Sequence, residues 1–364
     1  VVDGGDGKFD NADYFLFYAT GPTEWRRNDS AFIKHRAIKN YYSDTSYYFL
    51  NFEGALGKRI GNRASSSEPF NVTSSSYDYR AFHEENLFNF AKSGRDFYGE
   101  SFDVTPSYTF KWSEGDFVVG DTIRTEITVA GNYSEPVEFS ISNGGSLNYR
   151  LSSQPIIPGQ YADYADSETK AGWGLINNAG EIAITVAKVS QRGSGWLDQF
   201  QVNARRQLRV NNKQFSFRDG RSAGPNRLCR FEIANPNQVS VMIWNVSDPL
   251  NPFNQSLNSS GTAVDFTASA DSVNEYCLVP NSDFLRPVYI GKVTNQNLHS
   301  ITKAEYLIVT HPLFLQEAQR LALFHQKKDG LSYAIATTDQ IYNEFSSGRP
   351  DVSAIRDFIR MVYT

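Results

Sequence analysis

The sequence predicts a mainly β protein that ends in the opening of an α/β unit. Three observations carry this expectation. Between residues 104 and 300, short runs of alternating apolar and polar residues recur with turn signals between them, the pattern of half-buried strands in a β-sandwich. Aromatic residues make up 14% of the chain, with 20 Tyr and 26 Phe, and these residues favour pleated surfaces. Residues 303–364 then change period and read β-α-β-α, the start of a parallel sheet.

The elements follow in order. Tyr14, Leu16 and Tyr18 alternate with Phe15 and Phe17, so both faces of this run are apolar and a buried strand is expected. A second buried strand is expected at residues 47–52 (YYFLNF). The Ser/Asn-rich stretch 63–76 reads as a mobile loop. Residues 82–92 read as a helix, with Leu87, Phe90 and Ala91 on one side and Gly94 as its stop. Residues 1–103 are thus expected to form an N-terminal mainly β module with one helix.

The sandwich region, residues 104–300 in one or two modules, is marked by Ile123, Thr125, Ile127 and Val129, by Val137, Phe139 and Ile141, and by Ile182, Ile184 and Val186. Trp196, Phe200 and Val202 lead into Leu208 and Val210, and Phe215 and Phe217 precede a turn at Asp219-Gly220. The runs CRFEI, SVMIW, AVDFT and EYCLVP supply further strands.

In the last segment, residues 305–310 (EYLIVT) form a strand, and His311 caps a helix that Pro312 begins. Leu315, Ala318, Leu321, Ala322 and His325 share a helical face, and Gly330 stops it. Residues 332–337 give a second strand, residues 339–345 a short helix, and Val352, Ile355, Phe358, Ile359 and Val362 a last amphipathic one. Two parallel strands alone leave an apolar face uncovered. The expectation is therefore that the chain is the N-terminal part of a longer protein.

A chain of 364 residues suits two or three domains. Its net charge of −5 carries no basic footprint for nucleic acid. No apolar run reaches the roughly 18 residues of a transmembrane helix. Cys229 and Cys277 lie inside strand-like runs, where a thiol packs as core or pairs in a disulfide; reactive thiols need an exposed electropositive niche. Asp3, Asp6, Asp10 and Asp13 resemble a calcium loop, but the first and third loop positions fall on Val2 and Gly4, which lack the oxygen ligands. The charges of Arg205, Arg206 and Arg209 are expected on a solvated strand edge. Trp25, Trp112 and Trp173 are expected mainly in the core. The residues thus assign no catalytic group, no cofactor and no metal ligand.

The run YLIVTHPLFLQEAQRLALFHQKKDGLSYAIATTDQIYNEFSSGRPDVSAIRDFIRMVY resembles the opening of a gingipain-type cysteine peptidase domain. GDGKFDNADYFLFYATGPTEW, NYYSDTSYYFLN, HEENLFNFAKSGRDFYGESFD, GWLDQFQVNARRQL and VMIWNVSDPLNP are similar, in order and spacing, to landmarks of the region before that domain. Within the family the likeness is to the sortases of the type IX secretion system. It implies β-sandwich accessory modules followed by the start of a caspase-like α/β domain at 303–364, incomplete within this chain. It also implies a cell-surface cysteine endopeptidase, on the extracellular face of the bacterial outer membrane. Its partners would be secreted cargo with C-terminal sorting domains, which it removes before attaching cargo to the surface, and other secretion components. The family's dyad has a Gly-flanked His and a later strand-end Cys. None of His35, His83, His299, His311 and His325 is flanked by Gly, so no catalytic residue carries over. The other expectation is a non-enzymatic cell-surface sandwich that binds or builds.

Overall fold

The structure, a computed structural model, describes residues 13–27, 35–51, 57–90, 92, 97–159, 163–280 and 283–363. It is mainly β, in several sheets, and the chain divides into two compact units, centred on Lys58–Leu285 and on Arg286–Thr364.

The strands run in chain order. The first six are β1 (Glu24–Arg27), β2 (His35–Ile38), β3 (Gly61–Arg63), β4 (Val72–Ser74), β5 (Ser76–His83) and β6 (Ser107–Trp112). Next come β7 (Thr122–Asn132), β8 (Glu138–Ser142), β9 (Asn148–Ser152), β10 (Asp166–Leu175), β11 (Ile182–Lys188) and β12 (Ser194–Gln207). Then follow β13 (Phe215–Phe217), β14 (Leu228–Ala234), β15 (Val241–Asn245), β16 (Phe253–Gln255), β17 (Asn258–Ser260), β18 (Ala263–Ser269) and β19 (Tyr276–Pro280).

Strands β1 and β2 pair with each other, and β3 to β19 build two sandwiches. In the first, the sheet β10-β7-β12-β5 faces β6-β11-β8-β9. Phe200 of β12 meets Phe110 and Trp112 of β6 edge-on, at ring distances of 5.5 and 5.1 Å. Gly172 of β10 lies beneath the Tyr149 ring of β9; a Cβ there would sit 2.0 Å from Tyr149 Cε1. In the second sandwich, β13-β19-β15-β16-β3 faces β17-β18-β14-β4, and Tyr276 packs on Phe231 and Phe266 between the sheets.

Residues 57–83 join the two sandwiches. The Ser/Asn-rich stretch 63–76, expected as a loop, supplies the last residue of β3 and all of β4, strands that pair in parallel with β16 and β14. Its hydroxyls replace missing ladder partners: Ser65 Oγ accepts from Thr267 N at 2.9 Å. Strand β5 then pairs with β12 of the first sandwich. Residues before position 103 therefore belong to the same sheets as residues well beyond it.

Three further expectations are corrected. The described residues between 82 and 92 hold no helix. Phe82 and His83 instead complete β5 against Gln201 and Phe200, a case of tertiary pairing overriding local propensity. Phe90 then stacks among Tyr98, Tyr164 and Trp196. The runs at residues 14–18 and 47–51 are not buried strands: Tyr14, Phe15, Phe17, Tyr48, Phe49 and Leu50 are 39% to 57% exposed. Nearby side chains close local turns, with Asn40 Oδ1 accepting from the backbone of Tyr42 and Ser43, which competes with a ladder. Phe52 lies outside the described residues.

The second unit follows its sequence pattern closely. Strand β20 (Tyr306–Thr310) pairs in parallel with β21 (Tyr333–Thr337). Helix α1 (Leu315–Asp329) connects them and ends at Gly330, whose φ of 71° is the left-handed cap. Helices α2 (Thr338–Phe345) and α3 (Val352–Tyr363) follow. Tyr306 stacks on His325 of α1 at 4.6 Å, while Leu307 and Val309 pack with Ala336, Ile341 and Phe358. Alternation along β20 thus places α1 on one face of the sheet and α2 and α3 on the other, so neither face is left without a helix.

Candidate functional site

In open parallel sheets, ligands bind outside the carboxyl ends of the strands. Here that end is formed by Thr310 and Thr337, which are register partners. Each leads directly into a helical turn. His311 caps the 3-10 turn Pro312–Phe314, with Nδ1 accepting from Leu313 N at 3.3 Å and Pro312 in the first turn. Thr337 caps α2 in a full capping box: Thr337 Oγ1 accepts from Gln340 N, and Gln340 Oε1 accepts from Thr337 N at 3.0 Å. Two helical N-termini therefore open at this strand end. His311, read from the sequence as a cap, is one.

The side chains that nucleophilic catalysis needs are placed elsewhere. Cys229 and Cys277 are both free. Burial pushes the Cys229 thiol up to about 12 and the Cys277 thiol up to about 11, against weaker hydrogen bonds with Ser222 and Ser216. A thiol raised in this way resists ionisation, the reverse of what a nucleophilic cysteine needs; Cys229 is buried and Cys277 half-buried. His83 Nε2 pairs with Glu100 at 2.8 Å, His299 Nδ1 with Glu344 at 2.7 Å, and His325 Nδ1 with Asp329 at 2.7 Å. Glu344 also accepts from Leu298 N and Gln296 Nε2, so it ties the chain leading into β20 to α2.

No group of three or more His, Cys, Asp or Glu stands ready to hold a metal among the described residues. Asp3, Asp6 and Asp10 lie outside them. No described helix is long and apolar enough to cross a membrane, which bears on helices alone.

The charge cluster around Arg205 departs from the sequence expectation of a solvated edge. Arg205 and Arg206 are 2% and 5% exposed, on the central strand β12. They are buried, not a solvated edge; only Arg209, paired with Asp116, fits that description. Arg205 donates to Asp78 and Asp219 at 2.7 Å each, and to Ser76. Burial acts to lower its pKa, but the carboxylates of Asp219 and Asp78 outweigh that and raise it. Asp219 also accepts from Ser74 Oγ, and Asp78 from Gly220 N. Arg218 and Arg80 share Glu275. These partners come from β4, β5, β12, the turn after β13 and the residue before β19, so the cluster pins one sandwich to the other. The hint in the sequence is that Arg205 shares a face with the amides of Gln201 and Asn203, which flank Val202, on a strand that is apolar on its other face. Of the tryptophans, Trp112 packs in the sandwich, Trp25 is half-buried beside Arg80, and Trp173 is exposed beside Arg124.

Comparison with known proteins bears on both units. Residues 299–364 match the model of peptidase family C25. The crystal structure of dimeric latent PorU from Porphyromonas gingivalis superposes on 95% of this chain with a TM-score of 0.78 and 23% identity, which establishes a shared fold. The chain spans 33% of the length of that PorU chain. The functional form of the Cry4Aa toxin from Bacillus thuringiensis aligns with 27% of this chain and 18% of its own, at 13% identity and a TM-score of 0.20, too low to carry any argument. A search of curated sequences found no match.

Proposed function

We propose that this chain supplies the accessory sandwiches and the first β-α-β-α of a PorU-like cysteine endopeptidase of the bacterial cell surface. In that role it takes part in removing C-terminal sorting domains from secreted cargo and attaching the cargo to the surface. One observation carries the reading: a family C25 segment directly follows two sandwiches that share the fold of latent PorU. The sandwiches would hold cargo or other secretion components beside the catalytic domain. The chain itself contributes the scaffold, since both of its thiols are held protonated in strands.

Deleting the gene in its own bacterium tests this. Exported proteins should then keep their C-terminal sorting domains, as read from intact masses of surface and medium fractions. Normal trimming in the deletion strain would sink the proposal. A second reading, a binding or structural sandwich without chemistry, is favoured by the structural placement of Cys229 and Cys277. A thiol-directed affinity probe separates the two: it should label the complete gene product on the first reading and leave it unlabelled on the second.

A further inference from the structure

The run from Arg286 to Val293 (RPVYIGKV) is rich in residues that favour strands, yet it forms none. Two residues account for this. Pro287 has no N–H to give a ladder, and it biases Arg286 towards extended backbone. Gly291 has a φ of 153°, a region that glycine reaches and side-chain-bearing residues rarely do. Val288, Tyr289 and Ile290 are left between two breakers.

The result is an open chain. Residues 284–297 contain no helix, strand, turn or bend, and every residue from Leu285 to Asn295 is exposed. Leu285, Val288, Tyr289 and Ile290 are 76% to 83% exposed. Among the described residues, no hydrogen bond, ion pair or ring contact involves this stretch. An endopeptidase takes its substrate as an extended chain, bonded through main-chain N–H and C=O groups in the manner of an added strand. A folded segment must first open for this, and the cut slows in proportion to the rarity of the open form. The stretch around Lys292 has no bond to give up, so its opening costs close to nothing. Its other cation, Arg286, precedes the tertiary amide of Pro287, which offers no N–H. Lys303, the next lysine in the chain, is held on both sides: Ile301 N donates to Leu298 O, and Glu305 N donates to Ser332 O.

We propose that the Lys292–Val293 bond is a cleavage site for an endopeptidase that takes a lysine side chain in its specificity pocket, and that the product is a two-chain form that stays together. The C–N bond breaks; the hydroxyl of water goes to the Lys292 carbonyl carbon and its proton to the Val293 nitrogen. The second unit holds the pieces. Tyr47 and Phe49, on the N-terminal side of the cut, lie against Gly348 on the other side, where an added Cβ would stand 3.3 Å from Tyr47 Cβ and 3.4 Å from Phe49 Cζ. Here the chain is a substrate, so the inference goes beyond the peptidase reading and does not depend on it.

The test digests the native 364-residue chain with a lysine-specific serine endopeptidase and reads the fragments by intact mass. The Lys292–Val293 bond should be cut first, at least about tenfold faster than any other lysine bond, because those must wait for local opening. Fragments 1–292 and 293–364 should elute together in gel filtration. Lys292→Arg, at an exposed position, should abolish the early cut by this enzyme and pass it to an arginine-specific one. Protein recovered from its own bacterium should carry a second N-terminus at Val293. A first cut at Lys58 or Lys303, an early cut that survives Lys292→Ala, fragments that separate, or an uncut chain in the cell would each overturn the proposal.

Discussion

The sandwich unit and the C-terminal α/β unit solve the same problem of burial in opposite ways. In the sandwiches, the apolar core runs continuously from Ile127 and Phe200 to Phe231 and Tyr276, and buried charges on Arg205, Asp78 and Asp219 cross from one sandwich to the other. In the α/β unit, the buried apolar cluster is Leu298, Ala336, Ile341, Ala354 and Phe358, and order comes from caps and helix faces close in sequence. Long-range pairing yields a large core that depends on a few distant charges. Local signals yield regular elements over a small core.

The comparison breaks most sharply at Arg205. Arg205→Met leaves Asp78 and Asp219 buried without their cation, and should cost about 3–5 kcal/mol. Urea unfolding followed by tryptophan fluorescence would measure it; a loss below about 1 kcal/mol, the value of an exposed pair, would mean the cluster does not hold the sandwiches together.

Phe358→Ala is the counterpart in the other unit. Phe358 is fully buried and meets Phe345 edge-on at 5.7 Å, so its truncation should cost about 3 kcal/mol. The loss should be confined to α2, α3 and the β20–β21 pair. Helical circular dichroism should fall at lower denaturant while the sandwich transition stays in place; a matching shift of both would show one cooperative body.

These two sites also show what the sequence makes legible. Every element after residue 303 is readable, because His311, Pro312 and Gly330 act within four residues of where they stand. The strands from Ile123 to Val202 were readable from alternation. The role of Arg205 was not, because its partners lie 127 and 14 residues away and a charge on a strand looks the same at an edge and in the centre. Residues 82–92 mislead for a related reason: Leu87 and Phe90 have helical spacing, but the ladder from β5 to β12 takes Phe82 and His83, and Leu87 and Phe88 bond to Tyr98. Of the strand-end site only the His311 cap was legible; the capping box of Thr337 and Gln340 appears in the structure alone.

A smaller effect sharpens the local side. Thr337→Ala removes one half of the capping box of α2 and should cost about 1 kcal/mol, read as an earlier loss of helical signal. A change indistinguishable from zero would mean that packing of Ile341, not the cap, holds α2.

The smallest effect concerns acid. Burial pushes the Glu100 carboxyl up, but the hydrogen bond with His83 and one from its own backbone outweigh this and hold it below its ordinary value. A carboxyl depressed in the folded state adds stability above its unfolded pKa, about 4.3, and loses it as pH falls through the folded value. Glu100→Gln should therefore flatten the fall in melting temperature below about pH 4.3. An unaltered acid limb would remove Glu100 from the account.

Native-state hydrogen exchange addresses the central claim most directly, because it reads the opening free energy of each strand separately. The amides of Ile127 and Val202 should exchange only on global unfolding of the sandwiches. Those of Leu307 and Ile335 should exchange through a separate, cheaper opening of the α/β unit. Equal protection of the two pairs, with the same denaturant dependence, would contradict the division into a charge-pinned sandwich body and a locally specified unit with a small core.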